Sequence, residues 1–218
     1  MRLRRENGLI LALDVTSRGR AVALAEEVID YVDAFKVGYP LVLSSGLDVV
    51  GELSELGKPV IADFKVADIP HTSRTICEQA AHAGASFVIV HGFVGEDVLR
   101  ACSEVAEIFV VAEMSHPGAR RFMQPVAEEI ARLARRHAYG IVAPATRPER
   151  ITKLRAAAGE LVIISPGVKA QGAEPGDAIR AGADFEIVGR GIYASAEPRR
   201  SAAEIASELK AAMKEHEG

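Results

Sequence analysis

Short runs of consecutive apolar residues recur along the chain, at 9–13, 34–37, 60–64, 87–91, 109–113, 140–142, 161–165 and 185–188. Each is followed by a longer stretch in which apolar positions return every three or four residues, as in Ala21, Leu24, Ala25, Val28 and Ile29, or Ile130, Leu133 and Ala134. The first pattern fits strands buried on both faces, as in parallel sheets, and the second fits amphipathic helices. Eight such β/α units imply an α/β fold, with a (β/α)8 TIM barrel favoured over an open doubly wound sheet. The first turn, Leu13-Asp14-Val15-Thr16-Ser17, lacks the glycine fingerprint of a dinucleotide fold. No Gly/Ser linker or composition break divides residues 1–218, so a single domain is expected. Gly84 and Gly182, each between alanines before a strand, read as helix stops.

A barrel gathers its chemistry at the C-terminal ends of its strands. Those ends carry Asp14, Lys36, Asp63 with Lys65, His91, Glu113 with Ser115, Ser165, and Gly189-Arg190. The densest is Asp63-Phe-Lys65-Val-Ala-Asp68-Ile69-Pro70, where strand periodicity turns Asp63 and Lys65 to one face. Isolated buried charges are costly, and Lys36, Asp63, Lys65 and Asp68 sum to zero, as a shared, partly desolvated network requires. A purely structural salt-bridge network is the alternative. After the seventh and eighth runs the backbone is rich in glycine, which with Arg190 and a helix N-terminus suits a phosphate. The loop from Pro166 to Gly176 reads as a lid carrying Gln171, or else as an ordinary surface loop.

Composition narrows the picture. With 49% hydrophobic and 26% charged residues the 218-residue chain is globular, and its net charge of -4 gives no pull toward nucleic acid. Cys77 and Cys102 read as buried thiols of a reducing compartment. The apolar run after the basic N-terminus is too short for a signal peptide or membrane span, so a cytoplasmic location is expected. None of the six histidines pairs at metal-ligand spacing; His91 and His116 near the mouth read as hydrogen-bonded structural residues.

Asp63-x-Lys65-x-x-Asp68, with Lys36 ending the second run and Gly189-Arg190 ending the eighth, resembles the orotidine 5'-monophosphate decarboxylases over essentially the whole chain. The resemblance extends through Phe-Lys36-Val-Gly-Tyr-Pro40, Val-His91-Gly, Glu113-Met-Ser-His-Pro-Gly118, Thr146-Arg-Pro-Glu-Arg150, Ser165-Pro-Gly-Val-Lys-Ala-Gln-Gly172 and Val188-Gly-Arg-Gly-Ile-Tyr193. The Asp-x-Lys-x-x-Asp spacing alone is shared with magnesium-dependent 3-keto-L-gulonate 6-phosphate decarboxylases and hexulose 6-phosphate synthases. Those relatives carry an acidic ligand where this chain has Lys36, whose ammonium repels a divalent cation.

The resemblance implies conversion of orotidine 5'-monophosphate to uridine 5'-monophosphate and CO2 in pyrimidine biosynthesis, without metal or cofactor. It assigns Lys65 to stabilising and protonating a C6 carbanion, and Asp63 to a place beside the departing carboxylate. Lys36 is expected between Asp14 and Asp63, with Asp14 and Lys36 reaching ribose hydroxyls. Ser115 is assigned to the pyrimidine amide edge, Pro166 and Val168 to the base, and Gln171, Gly189 and Arg190 to the phosphate. Asp68, Ile69 and Thr72 are expected to cross into the neighbouring site of a homodimer. A catalytically silent phosphate-binding barrel is the competing class; loss of Lys65 or Asp68 would mark it, and both are present.

Overall fold

In the computed structural model, which describes residues 3–217, eight parallel strands each bond to the next and the last closes on the first. They are β1 (Leu9–Ala12), β2 (Ala34–Gly38), β3 (Val60–Val66), β4 (Phe87–His91), β5 (Ile108–Val111), β6 (Gly140–Val142), β7 (Val162–Pro166) and β8 (Phe185–Val188). The closed barrel excludes the open sheet, and every expected run is a strand.

Period-two alternation splits each strand between two cores. Ile10, Ile61, Phe87, Ile89, Phe109, Val111, Ile164, Phe185 and Ile187 fill the barrel interior, whereas Leu9, Leu11, Phe35, Val37, Val60 and Val88 pack outward against helices. Gly140 is set by this packing: a Cβ there would lie 2.2 Å from the Val162 carbonyl oxygen and 2.4 Å from the Phe109 ring. The absent side chain makes room for Phe109.

The outer layer contains the helices Arg18–Val28, Pro70–His82, Glu96–Ser103, Ala127–Ala134, Pro148–Ala158 and Pro198–Glu217, with shorter ones between. Ser17 caps the first, accepting from the Arg20 N–H at 3.4 Å. Pro70 and Pro148 open two others, where proline sets φ and no N–H is missed. Gly84 and Gly182 take φ values of 106° and 107°, consistent with their reading as punctuation. Among the described residues no helix is long and apolar enough to cross a membrane.

Candidate active site

Three adjacent strands converge their charges at one end of the barrel. Asp63 on β3 holds Lys36 Nζ of β2 at 2.8 Å through one carboxylate oxygen and Lys65 Nζ at 2.7 Å through the other. Lys36 also reaches Asp14 Oδ1, beyond β1, at 3.4 Å. Lys36 and Asp63 are only 6% and 8% exposed, so this array lies largely out of water. Burial alone would push the Asp63 carboxyl up, but Lys36 and Lys65 outweigh it and hold its pKa down at about 2. Burial would likewise push Lys36 down, yet Asp63 and Asp14 hold its ammonium above the ordinary value. Asp14, Lys36, Asp63 and Lys65 thus form a neutral group of four with Lys36 between Asp14 and Asp63, and Asp68 of the same chain stands outside it.

Lys65 arrives by a distortion of β3. Between Ala62 and Val66 the register with β4 shifts, and Lys65 has a φ of 44°. Left-handed backbone at a non-glycine residue carries strain of roughly 1–3 kcal/mol, which the surrounding structure must override. The bulge extends the strand beyond residue 64 and aims the ammonium into the barrel mouth.

That mouth opens into a cavity of about 400 Å³. Asp14, Lys36, Asp63 and Lys65 line one side; Pro166, Val168, Gln171, Gly189, Arg190 and Tyr193 line another, and Ser115 lies between them. Ile89, Val111, Val142 and Ile187 supply an apolar floor. One end of the cavity is thus a fixed charge array. The other has glycine backbone and Arg190, whose guanidinium donates to the Ala170 carbonyl at 3.4 Å.

The 166–176 loop is internally braced. Lys169 N–H donates to the Ala173 carbonyl at 2.7 Å, Ala173 N–H donates to Gly167 at 3.4 Å, and Val168 and Ala173 are buried. Exposed Gln171 stands at its tip and faces the cavity.

Ser115 is held by two residues of the Thr146-Arg-Pro-Glu-Arg150 motif. Its carbonyl accepts from Thr146 Oγ1 at 3.1 Å and Arg147 at 3.0 Å. Arg147 and Arg150 also grip fully buried Glu113, at 3.1 and 2.8 Å. Glu113 therefore faces an internal brace rather than the cavity. Ser165 also misses the cavity, because it alternates with Ile164 and Pro166 and so points outward. His116, expected near the mouth, lines the cavity, and so does Tyr193, to which the Val188-Gly-Arg-Gly-Ile-Tyr193 motif assigns no role.

His91 departs from the hydrogen-bonded role expected of it. Among the described residues its buried Nδ1 has no partner, its ring lies 4.7 Å from that of Phe93, and burial with Lys65 nearby pulls its pKa down to about 4. Cys77 and Cys102 are free and buried, as expected, and interaction with Cys102 together with burial pushes the Cys77 thiol up.

Asp68, Ile69 and Thr72 do not line the cavity of their own chain. Asp68 and Ile69 edge a separate surface hollow with Ala67, Pro70, Val94, Asp97 and Val98. There the Asp68 carboxylate accepts the Ile69 N–H at 2.7 Å, and Ile69 is 65% exposed. Thr72 lies in the first turn of the helix Pro70–His82.

A family model described as orotidine 5'-phosphate decarboxylase / HUMPS matches residues 7–205. The chain is 54% identical to orotidine 5'-phosphate decarboxylase of Methanosarcina acetivorans, over 97% of this chain and 99% of that one. It is 48% identical to the Thermococcus kodakarensis protein of the same name, over 94% and 97%. Among solved structures, orotidine 5'-monophosphate decarboxylase of Methanocaldococcus jannaschii complexed with inhibitor BMP superposes with a TM-score of 0.88 at 46% identity, covering 92% of this chain and 97% of that one. The enzyme from Pyrococcus horikoshii gives 0.88 at 45% identity, over 93% and 99%.

Proposed function

This chain belongs to the orotidine 5'-phosphate decarboxylase / HUMPS family, and we infer from that membership and from its charged cavity that it converts orotidine 5'-monophosphate to uridine 5'-monophosphate and CO2. The observation that carries the mechanism is the pair of ammonium groups on Asp63, with one of them, Lys65, half-buried at the cavity wall. Breaking the bond from C6 to the carboxylate leaves its electron pair on C6, where no conjugated sink receives it. A preorganised cation in a site shielded from water stabilises that charge at the moment it forms. Lys65 supplies the cation and then transfers a proton to C6.

Asp63 stays ionised across the working range because its pKa is about 2. A substrate carboxylate beside it experiences repulsion of roughly 4 kcal/mol at 4 Å, which departure of CO2 relieves. Lys36 keeps Asp63 ionised and in place, and with Asp14 offers polar contacts to ribose hydroxyls. Ser115 suits the pyrimidine edge, Pro166 and Val168 the base, and Gln171, Gly189 and Arg190 the phosphate, where binding far from C6 helps assemble the charged site.

The position of Lys36 also separates this chemistry from that of magnesium-dependent relatives. Its ammonium occupies the space between the Asp63 and Asp14 carboxylates, so the oxygens a hard divalent ion would need already face a cation. Among the described residues no three His, Cys, Asp or Glu side chains gather as a metal site.

A homodimer with shared sites accounts for Asp68, Ile69 and Thr72. Ile69 shares the barrel's C-terminal rim with Leu43 and Phe93, which are 81% and 57% exposed. Large apolar side chains left in water along one rim favour burial against a second copy. That docking carries Asp68 toward the neighbouring charge array and Thr72 toward its ribose. The chemistry is tested by turnover in D2O: proton delivery from an exchangeable ammonium places deuterium at C6 of the product, and a product protonated there would contradict it.

A further inference from the structure

Glu186 sits inside the apolar run of β8, fully buried and pointing away from the barrel interior, between Phe185 and Ile187, which point in. Its carboxylate accepts the Gly176 N–H at 3.0 and 3.1 Å, the Ala178 N–H at 3.0 Å and the Ile179 N–H at 3.3 Å. Gly176 ends the 166–176 loop at a φ of 93°, and a Cβ there would meet Arg180 at 2.8 Å and Ala212 at 3.0 Å. The other end of the loop, Gly167, has a φ of 117° and lies against Thr146, which a Cβ would meet at 2.9 Å. An internally braced loop between two glycine hinges moves as a body, so its placement depends on what holds the hinges. One hinge is held by a buried carboxylate.

We propose that Glu186 is a positioning residue, fixing the C-terminal hinge of this loop and so the placement of Val168 and Gln171 over the substrate. The inference rests on the reading of these two residues as base and phosphate contacts. Strand packing alone would be served at position 186 by an apolar side chain, like the neighbours that fill the outer core. A carboxylate there is costly to bury and is offset by the three backbone N–H groups it accepts from, with the Arg180 cation nearby.

The charged groups around it are Asp177 and Arg180 on the helix it caps, and Glu215 of the terminal helix, which holds Arg180 at 2.7 Å. Its strand neighbours, Leu9 of β1 and Ser165 of β7, carry no charge. Burial pushes the carboxyl up to about 7, against the pull of the backbone N–H groups. Protonation turns one accepting oxygen into a donor facing N–H groups, so the hinge loosens as pH falls.

The experiment compares KM and kcat of the wild-type chain and Glu186→Gln for orotidine 5'-monophosphate between about pH 5.5 and pH 8. At about pH 8 the variant should show a KM raised roughly three- to tenfold, the equivalent of one lost hydrogen bond, with kcat within about twofold. The KM ratio should fall toward one at about pH 5.5, where the wild-type carboxyl is itself protonated. Ionisation of the substrate phosphate, near pH 6, is common to both enzymes and cancels in that ratio.

A KM ratio of one at pH 8, or the same ratio at every pH, would overturn the hinge role while wild-type turnover still upheld the decarboxylase reading. No wild-type turnover would sink the reading itself. Should the variant misfold, amide exchange in the wild-type chain decides: protection of Gly176, Ala178 and Ile179 relative to intrinsic rates should drop below pH 7, and constant protection would overturn the proposal.

Discussion

Replacing Lys36 by Met keeps most of the side-chain volume and removes one of the two cations on Asp63. At 2.8 Å and an effective dielectric constant of about 20, the lost Coulomb attraction is about 6 kcal/mol gross. Relief of Lys36 desolvation and entry of water offset part of this, leaving about 3–5 kcal/mol, the usual range for breaking one partner out of a buried pair. For a chain of this size that lowers Tm by roughly 6–20 °C.

The pH dependence has a defined sign. Asp63 in the native protein, at about 2, lies below its unfolded value of about 3.9, so its stabilisation is present above pH 4 and is lost as pH falls toward 2. Without Lys36 its pKa rises, and acid unfolding moves to higher pH. Turnover falls at least about a hundredfold, as expected when a preorganised charge supporting the transition state is removed. Calorimetry between pH 3 and 8, carbon NMR titration of Asp63 and steady-state rates check all three effects. A variant with unchanged Tm and an Asp63 still titrating near 2 would refute the coupling argument.

Arg190→Ala should weaken turnover of the phosphorylated substrate by about 10²-fold or more, while leaving slow reaction of phosphate-free orotidine nearly unchanged. Equal losses on both substrates would remove Arg190 from phosphate binding. Lys65→Ala and Asp68→Ala should each be nearly inactive alone, yet subunit exchange between them should restore roughly a quarter of wild-type activity, because half the dimers then hold one intact site. No recovery despite demonstrated exchange would confine Asp68 to its own subunit. Gly140→Ala should destabilise the barrel by about 1–3 kcal/mol or more, read as a lower Tm, since its Cβ would press on the Val162 carbonyl and the Phe109 ring. An unchanged Tm would contradict that packing argument.

The eight strands were legible because parallel barrel strands are buried on both faces and leave uninterrupted apolar runs. Asp14, Lys36 and Asp63 were reachable by reading strand ends with period two. Other features depend on closure of the barrel, which brings together positions far apart in sequence. Asp14 meets Lys36 because β1 and β2 are neighbours in register, whereas Asp68, only five residues from Asp63, stays outside the local charge group. The bulge at Lys65 carries no glycine to announce it. Glu113 looked like a cavity residue, but its partners Arg147 and Arg150 come from beyond β6. Glu186, a single carboxylate in the run Phe-Glu-Ile-Val, gains meaning only once Gly176 folds back onto it.

The most direct measurement is the ultraviolet absorbance of orotidine 5'-monophosphate on addition of the purified chain in excess chelator. Loss of the carboxylate should change the pyrimidine spectrum to that of uridine 5'-monophosphate, at a rate the chelator leaves unaltered and Lys65→Ala abolishes. A spectrum that stays constant at ample enzyme, or a reaction that stops when chelator is added, would contradict the account.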